Sequence, residues 1–467
     1  MAQSVCGHTS LWGRLVLVLA EPPAPMIDLL VENARIVSPT GVTRGSIAIA
    51  DGTIESVGDA TAVTTARRTI DASGMVALPG AVDIHTHMHD PAVFPPGIDF
   101  QSETAAATAG GVTTVVELPT QTPITTPAAA HRKIRHCSER AHVDFGLVAG
   151  NVQETGIDVA GLQSVGIPEL KAFTADPYRA AEETLLELFA TVAETDTTVR
   201  VHCEHQPILD HARDSVSGTD PSVYPDSRPI EAELAAIERI GRLASYTDCP
   251  VHIVHISSAR GVALGNRIAE RTDVPVTLET CPQYLAFTRD ALAAKGPYCK
   301  VNPPLRSSGE RDRLWEFVQD GSIDCIATDH FPSYRADRQS GWDDIWEPPA
   351  GLPGVETLLE WLISEGVHDG RISWERACAL VCANPARRAG LYPRKGSLRV
   401  GTDADLVLID RTTHTVTPEQ YAFVGDWTPF SGREWTARVA TVIAGGEIVA
   451  TDHTVHSDPG RGRFLPR

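Results

Sequence analysis

The sequence predicts a (β/α)8 TIM barrel with a small β-sandwich domain built from both chain ends, on three observations. Between about residues 76 and 392, short apolar runs alternate with helix-length stretches, the pattern of parallel βα units. The apolar runs number eight, the count that closes such a barrel. Short β-like runs broken by turns flank this middle on both sides, so the two chain ends can pair into one small domain.

In chain order, residues 1–25 are expected to be a disordered extension. Residues 11–20 have the apolar character of a signal-peptide core, but Arg14 interrupts them and no clear cleavage site follows. They are also too short to cross a bilayer. Residues 26–78 supply the first part of the β-sandwich, with runs at 28–34, 45–50 and 53–57, the last following the Asp51-Gly52 turn. Residues 79–392 form the barrel, residues 393–450 return to the β domain through runs at 404–409 and 438–449, and residues 451–467 are a tail. The barrel strands are expected at 76–84, 113–118, 143–149, 169–173, 199–203, 251–256, 274–279 and 324–328. Residues 229–245 read as a helix, because Pro229 suits a first turn and Ile230, Leu234, Ile237 and Ile240 share one face. Gly110-Gly111 reads as the turn into the second strand, since no phosphate-loop pattern follows. The loop 331–353, with Trp342 and Trp346, reads as a lid over the eighth strand or as a contact between subunits.

Composition narrows the function. A formal charge of -20 without a basic stripe argues against nucleic acid, whose phosphates call for clustered Lys and Arg. No segment reads as a membrane span. The nine Cys are scattered without a CxxC pair, which suits a reducing cytoplasm. Only 5 of the 40 basic residues are Lys, so Lys171, inside an apolar run, needs a reason.

In a barrel of this kind the site lies where the strands end, so the polar residues closing each apolar run are the candidates. They are His85 and His87 on the first strand, Lys171 on the fourth, His202 on the fifth, His255 on the sixth and Asp329 on the eighth. Side chains alternate along a strand, so His85 and His87 face one way, whereas His252 and His255 face opposite ways. His255, nearer the strand end, is the candidate; His252 is expected to pack against a helix or to be hydrogen-bonded there. Imidazoles and a carboxylate suit zinc or a similar divalent ion with a position open for water, and the absence of paired thiolates argues against a closed structural site. Asp329 can also move a proton. An ammonium cannot ligate a cation, but a buried Lys tends to the neutral amine, which carbon dioxide converts to a two-oxygen carbamate able to join two metals. No GxSxG elbow for serine chemistry occurs.

The ordered set PGAVDIHTHMHD (79–90), AGGVTTVVELP (109–119), ELKAF (169–173), VHCE (201–204), VHIVHISS (251–258), ETCPQYL (279–285), VNPPLR (301–306) and IATDH (326–330) resembles the amidohydrolase superfamily. Within it, the resemblance is to the cyclic amidohydrolases: allantoinase, hydantoinase or dihydropyrimidinase, and dihydroorotase. It covers about residues 26 to 450 and implies a two-metal hydrolase of ring C–N bonds, with His85, His87 and Asp329 on one ion, His202 and His255 on the other, and carbamylated Lys171 bridging. It also implies a homotetramer.

Three positions bear on the small-molecule substrate. His89 stands where dihydroorotases carry an Arg for the substrate carboxylate, Asp176 stands where hydantoinases carry an oxyanion-supporting Tyr, and Asn302 resembles the dihydroorotase branch. Tyr178 is a candidate to replace the missing Tyr. VHCE, the ETCP stretch and TPFSGREWTARV (428–439) look most like allantoinase, which favours conversion of allantoin to allantoate over the hydantoin or dihydropyrimidine reaction. A barrel surviving only as a non-catalytic scaffold is the opposing reading, and the complete ligand set argues against it.

Overall fold

The computed structural model describes residues 26–58, 65–88, 90, 92–151, 153 and 156–467. The expected extension 1–25 and His89 lie outside the described residues. No described helix is long and apolar enough to cross a membrane.

Eight parallel segments form the barrel: Ala81–Thr86, Val112–Glu117, Asp144–Leu147 continued by Ala149–Gly150, Glu169–Phe173, Thr198–His202, Val251–Ile253, Val276–Thr280 and Cys325–Ile326. A parallel bridge from Thr86 to His330 closes the ring. These runs are buried almost throughout because both faces of a parallel sheet are covered. The long helix before the sixth strand spans Ile230–Thr247, opens after Pro229 with Glu231 and Glu233 in its first turn, and stops at left-handed Asp248.

The run expected as one strand from 76 to 84 is two. Val76–Pro79 pairs with Leu406–Asp410 and Ile27–Ser38 in the other sheet, and the barrel strand begins at Ala81. Gly80 makes the crossing: a Cβ there would lie 2.1 Å from Thr113 Oγ1, so only glycine lets the chain change sheets so tightly.

That other sheet has nine strands and draws on both ends of the chain. Ile27–Ser38, Gly41–Ala50, Thr53–Gly58 and Ala66–Asp71 come from the N-terminal side; Leu406–Asp410, Arg438–Ala444, Glu447–Thr451 and Thr454–Val455 come from the other. Leu29, Val31, Ile47, Ile54, Leu406 and Ile443 share one core, so neither end buries its apolar face alone.

A buried imidazole joins this domain to the barrel. His453, at the turn before Thr454–Val455, sits between Glu356 (Nδ1 to Oε1, 3.0 Å) and Glu360 (Nε2 to Oε1, 2.9 Å), while Tyr421 Oη donates to Glu360 (3.0 Å). Burial alone would depress the His453 pKa, but the two carboxylates outweigh it and raise it to about 9. A pKa raised on folding adds stability that is complete below the unfolded value near 6.5 and is lost as pH rises through about 9. We expect His453→Asn, which tolerates the left-handed φ of 62°, to cost on the order of 3 kcal/mol at pH 6 and much less at pH 10. Urea unfolding at both values checks this; a pH-independent cost would contradict it.

Candidate active site

The predicted ligands converge at the end of the barrel where the strands finish. His85 Nε2 lies 3.2 Å and His87 Nε2 3.4 Å from Asp329 Oδ1, and ligand atoms of the three fall within 4.8 Å of one another. His202 Nδ1 lies 3.0 Å from His255 Nε2. Lys171, 1% exposed, lines the same cavity, with Nζ over the Phe173 ring at 4.9 Å.

The sixth strand corrects one expectation. It ends at Ile253, so strand alternation does not reach residue 255. His255 has φ 41° and enters the cluster through a turn, not through strand parity. His252 is on the barrel interior and not against a helix: Nδ1 meets Thr277 Oγ1 at 2.7 Å and Nε2 meets Glu279 Oε2 at 3.1 Å. Asp329 also has positive φ, 51°, a conformation Asp tolerates better than most residues.

Carboxylates behind the imidazoles fix their tautomers. An ionised carboxylate only accepts, so His85 donates from Nδ1 to Glu279 Oε1 (2.6 Å) and His202 donates from Nε2 to Glu204 Oε2 (2.9 Å). Burial would raise the Glu204 pKa, but Arg228, with Nε 3.1 Å from Oε1, holds it at about 2. The remaining lone pairs, His85 Nε2 and His202 Nδ1, then point at the cluster. Burial holds His85 and His255 well below the usual imidazole range, with Lys171 adding to the effect, so both rings are neutral. Burial opposes ionisation of Asp329, but His85 and His87 reverse it and keep the carboxyl below its usual value. Burial lowers Lys171 to about 8 against the pull of Asp329 and Glu279.

This donor set fits divalent cations. His85 Nε2 and Asp329 Oδ1 are two electron-pair donors 3.2 Å apart with no proton between them, an arrangement that a cation relieves. His85 Nε2, His255 Nδ1 and Lys171 Nζ are buried without a hydrogen-bond partner, which is costly unless something else satisfies them.

The cavity above the cluster holds about 120 Å³. Asn302 lines it, with Oδ1 accepting from Tyr224 Oη at 2.6 Å. Asp176 lines its rim, exposed and paired with Arg179 at 3.3 Å, and Tyr178 stands against Phe173 with ring centroids 5.1 Å apart. The loop 331–353 contributes Phe331, Ala350 and Gly351. Two buried cations tie this loop down: Lys300 donates to Ile345 O (2.7 Å) and Arg338 to Gly351 O (2.5 Å). Sequence reasoning did not single out Thr120, Arg228 or the supporting pair Glu204 and Glu279. Arg228 precedes Pro229 at the opening of a helix, and only a survey of charged residues next to such openings could have raised it.

The amidohydrolase family pattern matches residues 76–449. The L-hydantoinase of Paenarthrobacter aurescens is 33% identical over 452 residues, covering 95% of this chain and 98% of that one. The allantoinase of Rubrobacter xylanophilus is 37% identical over 449 residues, covering 94% and 97%. The solved L-hydantoinase (dihydropyrimidinase) of Arthrobacter aurescens superposes with a TM-score of 0.88 at 33% identity, covering 95% of this chain and all of that one. With a barrel, a cluster of candidate ligands at its mouth and relatives aligned nearly end to end, this chain belongs to the amidohydrolase family and is a hydrolase of cyclic amide C–N bonds.

Proposed function

We propose that the chain is a two-metal cyclic amidohydrolase that opens allantoin, or a closely related ureide ring, to the linear acid. The observation that carries the two-metal reading is the arrangement of facing donors: His85 and His87 against Asp329, His202 against His255, and Lys171 buried in the wall of the same cavity. His85, His87 and Asp329 would hold one divalent ion, zinc by ligand type, and His202 and His255 the other. Lys171, buried and tending to the neutral amine, would carry the bridging carbamate. Bound there, the ions would polarise a ring carbonyl and make a water acidic enough to ionise near pH 7.

The chain's own residues do the rest. Asp329, kept ionised, accepts the proton of the attacking water and returns it to the ring nitrogen as the C–N bond breaks. Glu204 and Glu279 keep His202 and His85 in the tautomers that present lone pairs. Asn302, whose Oδ1 is engaged by Tyr224, has Nδ2 to donate to a substrate carbonyl, and Thr120 and Arg228 add polar wall. Those polar groups favour a ring bearing a ureido arm. The Phe173, Tyr178 and Phe331 rings favour the second reading, a hydantoin with an apolar substituent.

Metal-loaded protein should hydrolyse allantoin with a kcat/KM at least about tenfold above hydantoin, 5-benzylhydantoin, dihydrouracil and dihydroorotate, the discrimination that one well-placed polar contact supplies. A benzylhydantoin preference would replace the allantoin assignment with the second reading. The eight described cysteines are free and buried, which supports a reducing cytoplasm. The proposed subunit count is four, by resemblance to the family.

A further inference from the structure

Residues 461–467 run beneath the barrel, at the end away from the cavity. Gly462 donates its N–H to Ala141 O (3.0 Å), Phe145 to Arg463 O (2.9 Å), Leu465 to Phe145 O (2.8 Å) and Arg467 to Gly166 O (3.1 Å). Phe464 packs on Phe145 at 5.7 Å between centroids, and Leu465 is buried in the cluster that holds Val82, Val116 and Val148. The closeness requires missing side chains: a Cβ on Gly462 would lie 2.0 Å from Val143 O, and one on Gly166 would lie 2.4 Å from Pro466 Cβ.

This strap carries the Arg467 side chain, 1% exposed, into the barrel interior. There it pairs with Glu169 and donates from Nη2 to Leu147 O at 2.5 Å. Glu169 also takes Arg200 through Nε (2.9 Å) and Nη2 (2.8 Å), and Arg388 Nη2 lies 2.9 Å from it. Three guanidiniums thus share one buried carboxylate. Its arms lead to the ligand-bearing strands. Glu169 is two residues before Lys171 on one strand face, Arg200 is two before His202, and Arg200 Nη1 donates to the carbonyl of Ile84, the neighbour of His85.

We infer that Arg467 is a positioning residue for the metal centre: by completing the buried cluster on Glu169 it holds in register the strands that present His85, Lys171 and His202. The inference rests on the two-metal reading proposed above. Buried charges keep a fixed arrangement only while every partner is present, and metal affinity falls steeply when ligands shift by a fraction of an ångström.

The test uses cobalt(II)-loaded full-length chain, whose visible spectrum reports ligand geometry. Arg467→Met should release cobalt to a chelator about tenfold faster than the unaltered chain, well below its own unfolding temperature, with an altered cobalt spectrum and a similarly reduced kcat at nearly constant KM. Arg467→Lys, which keeps the charge, should recover part of both losses. Arg463→Gln, whose side chain is largely exposed, should match the unaltered chain. An Arg467→Met protein that is less heat-stable yet keeps spectrum, cobalt retention and kcat would overturn the inference and leave the strap a structural element. Should Arg467→Met not fold, Arg467→Lys with unchanged retention and spectrum overturns it equally. An unaltered chain that binds no cobalt would instead sink the two-metal reading.

Discussion

Lys171→Ala should yield folded protein that loses bound metal and activity together. The side chain is buried and its Nζ has no hydrogen-bond partner, so removing it breaks no hydrogen bond that the fold uses. It does remove about four methylenes from a packed site, at a cost on the order of 2 kcal/mol, small enough for a chain of this size to remain folded. If its carbamate bridges two ions, both lose a ligand. Loss of a supporting residue behind a ligand costs 10- to 100-fold, so loss of the bridge should exceed that, with kcat/KM falling at least about 10³-fold and metal content falling below one ion per chain. Short carboxylic acids should restore part of the activity, because they supply the two oxygens the carbamate would have supplied. Loading the unaltered chain with zinc in carbon dioxide-free buffer should give poor occupancy, which bicarbonate corrects. Elemental analysis and kinetics decide the matter: a Lys171→Ala chain holding two ions and near-normal turnover would remove Lys171 from the site.

Asp329→Asn should separate proton transfer from architecture. Asparagine matches aspartate in shape and is the residue that best tolerates the left-handed φ of 51° at this position, so the fold should persist. Its amide cannot take up and return a proton. General acid–base catalysis contributes about 10²- to 10⁴-fold, so kcat should fall by about 10³ with KM changed much less. The ion near His85 and His87 should be held more weakly, because a neutral oxygen replaces a charged one 3.2 and 3.4 Å from their Nε2 atoms. Turnover within tenfold of the unaltered enzyme would assign the proton to another group.

The candidate cluster was readable because most of its members close an apolar run, and a parallel barrel brings the ends of such runs to one mouth. His85 and His87 also carry period-two spacing, which survives in the structure because His85 lies within the strand Ala81–Thr86 and His87 directly follows it. His255 lies beside His202, but strand parity is not what brings it there. Its strand is only three residues long, and a left-handed turn aims the ring. The division of 76–84 at Gly80 was not readable either, since both pieces are equally apolar and the change of sheet depends on the nearness of Thr113.

Residues that act through other residues left the least trace. Glu279 meets His85 across 194 positions, and Arg467 meets Glu169 across 298. Such pairs have no periodicity, because their spacing is set by how strands close into a ring and not by the repeat of any one strand. The loop 331–353 is likewise held by contacts that no local pattern announces: Lys300, 45 positions from Ile345, donates to its carbonyl, and Arg338 donates to that of Gly351.

The sequence by itself determined the alternation that makes a barrel, the pairing of the two chain ends, and the residue types gathered at the mouth. These are local properties, written in the period of apolar residues and in what closes each run. Only the tertiary structure decided which lone pair each histidine presents, how far Lys171 tends to the neutral amine, what bounds the 120 Å³ cavity and what braces the floor beneath it. Those depend on burial and on charges brought within a few ångströms by chain closure, where the low dielectric makes a single carboxylate or guanidinium decisive.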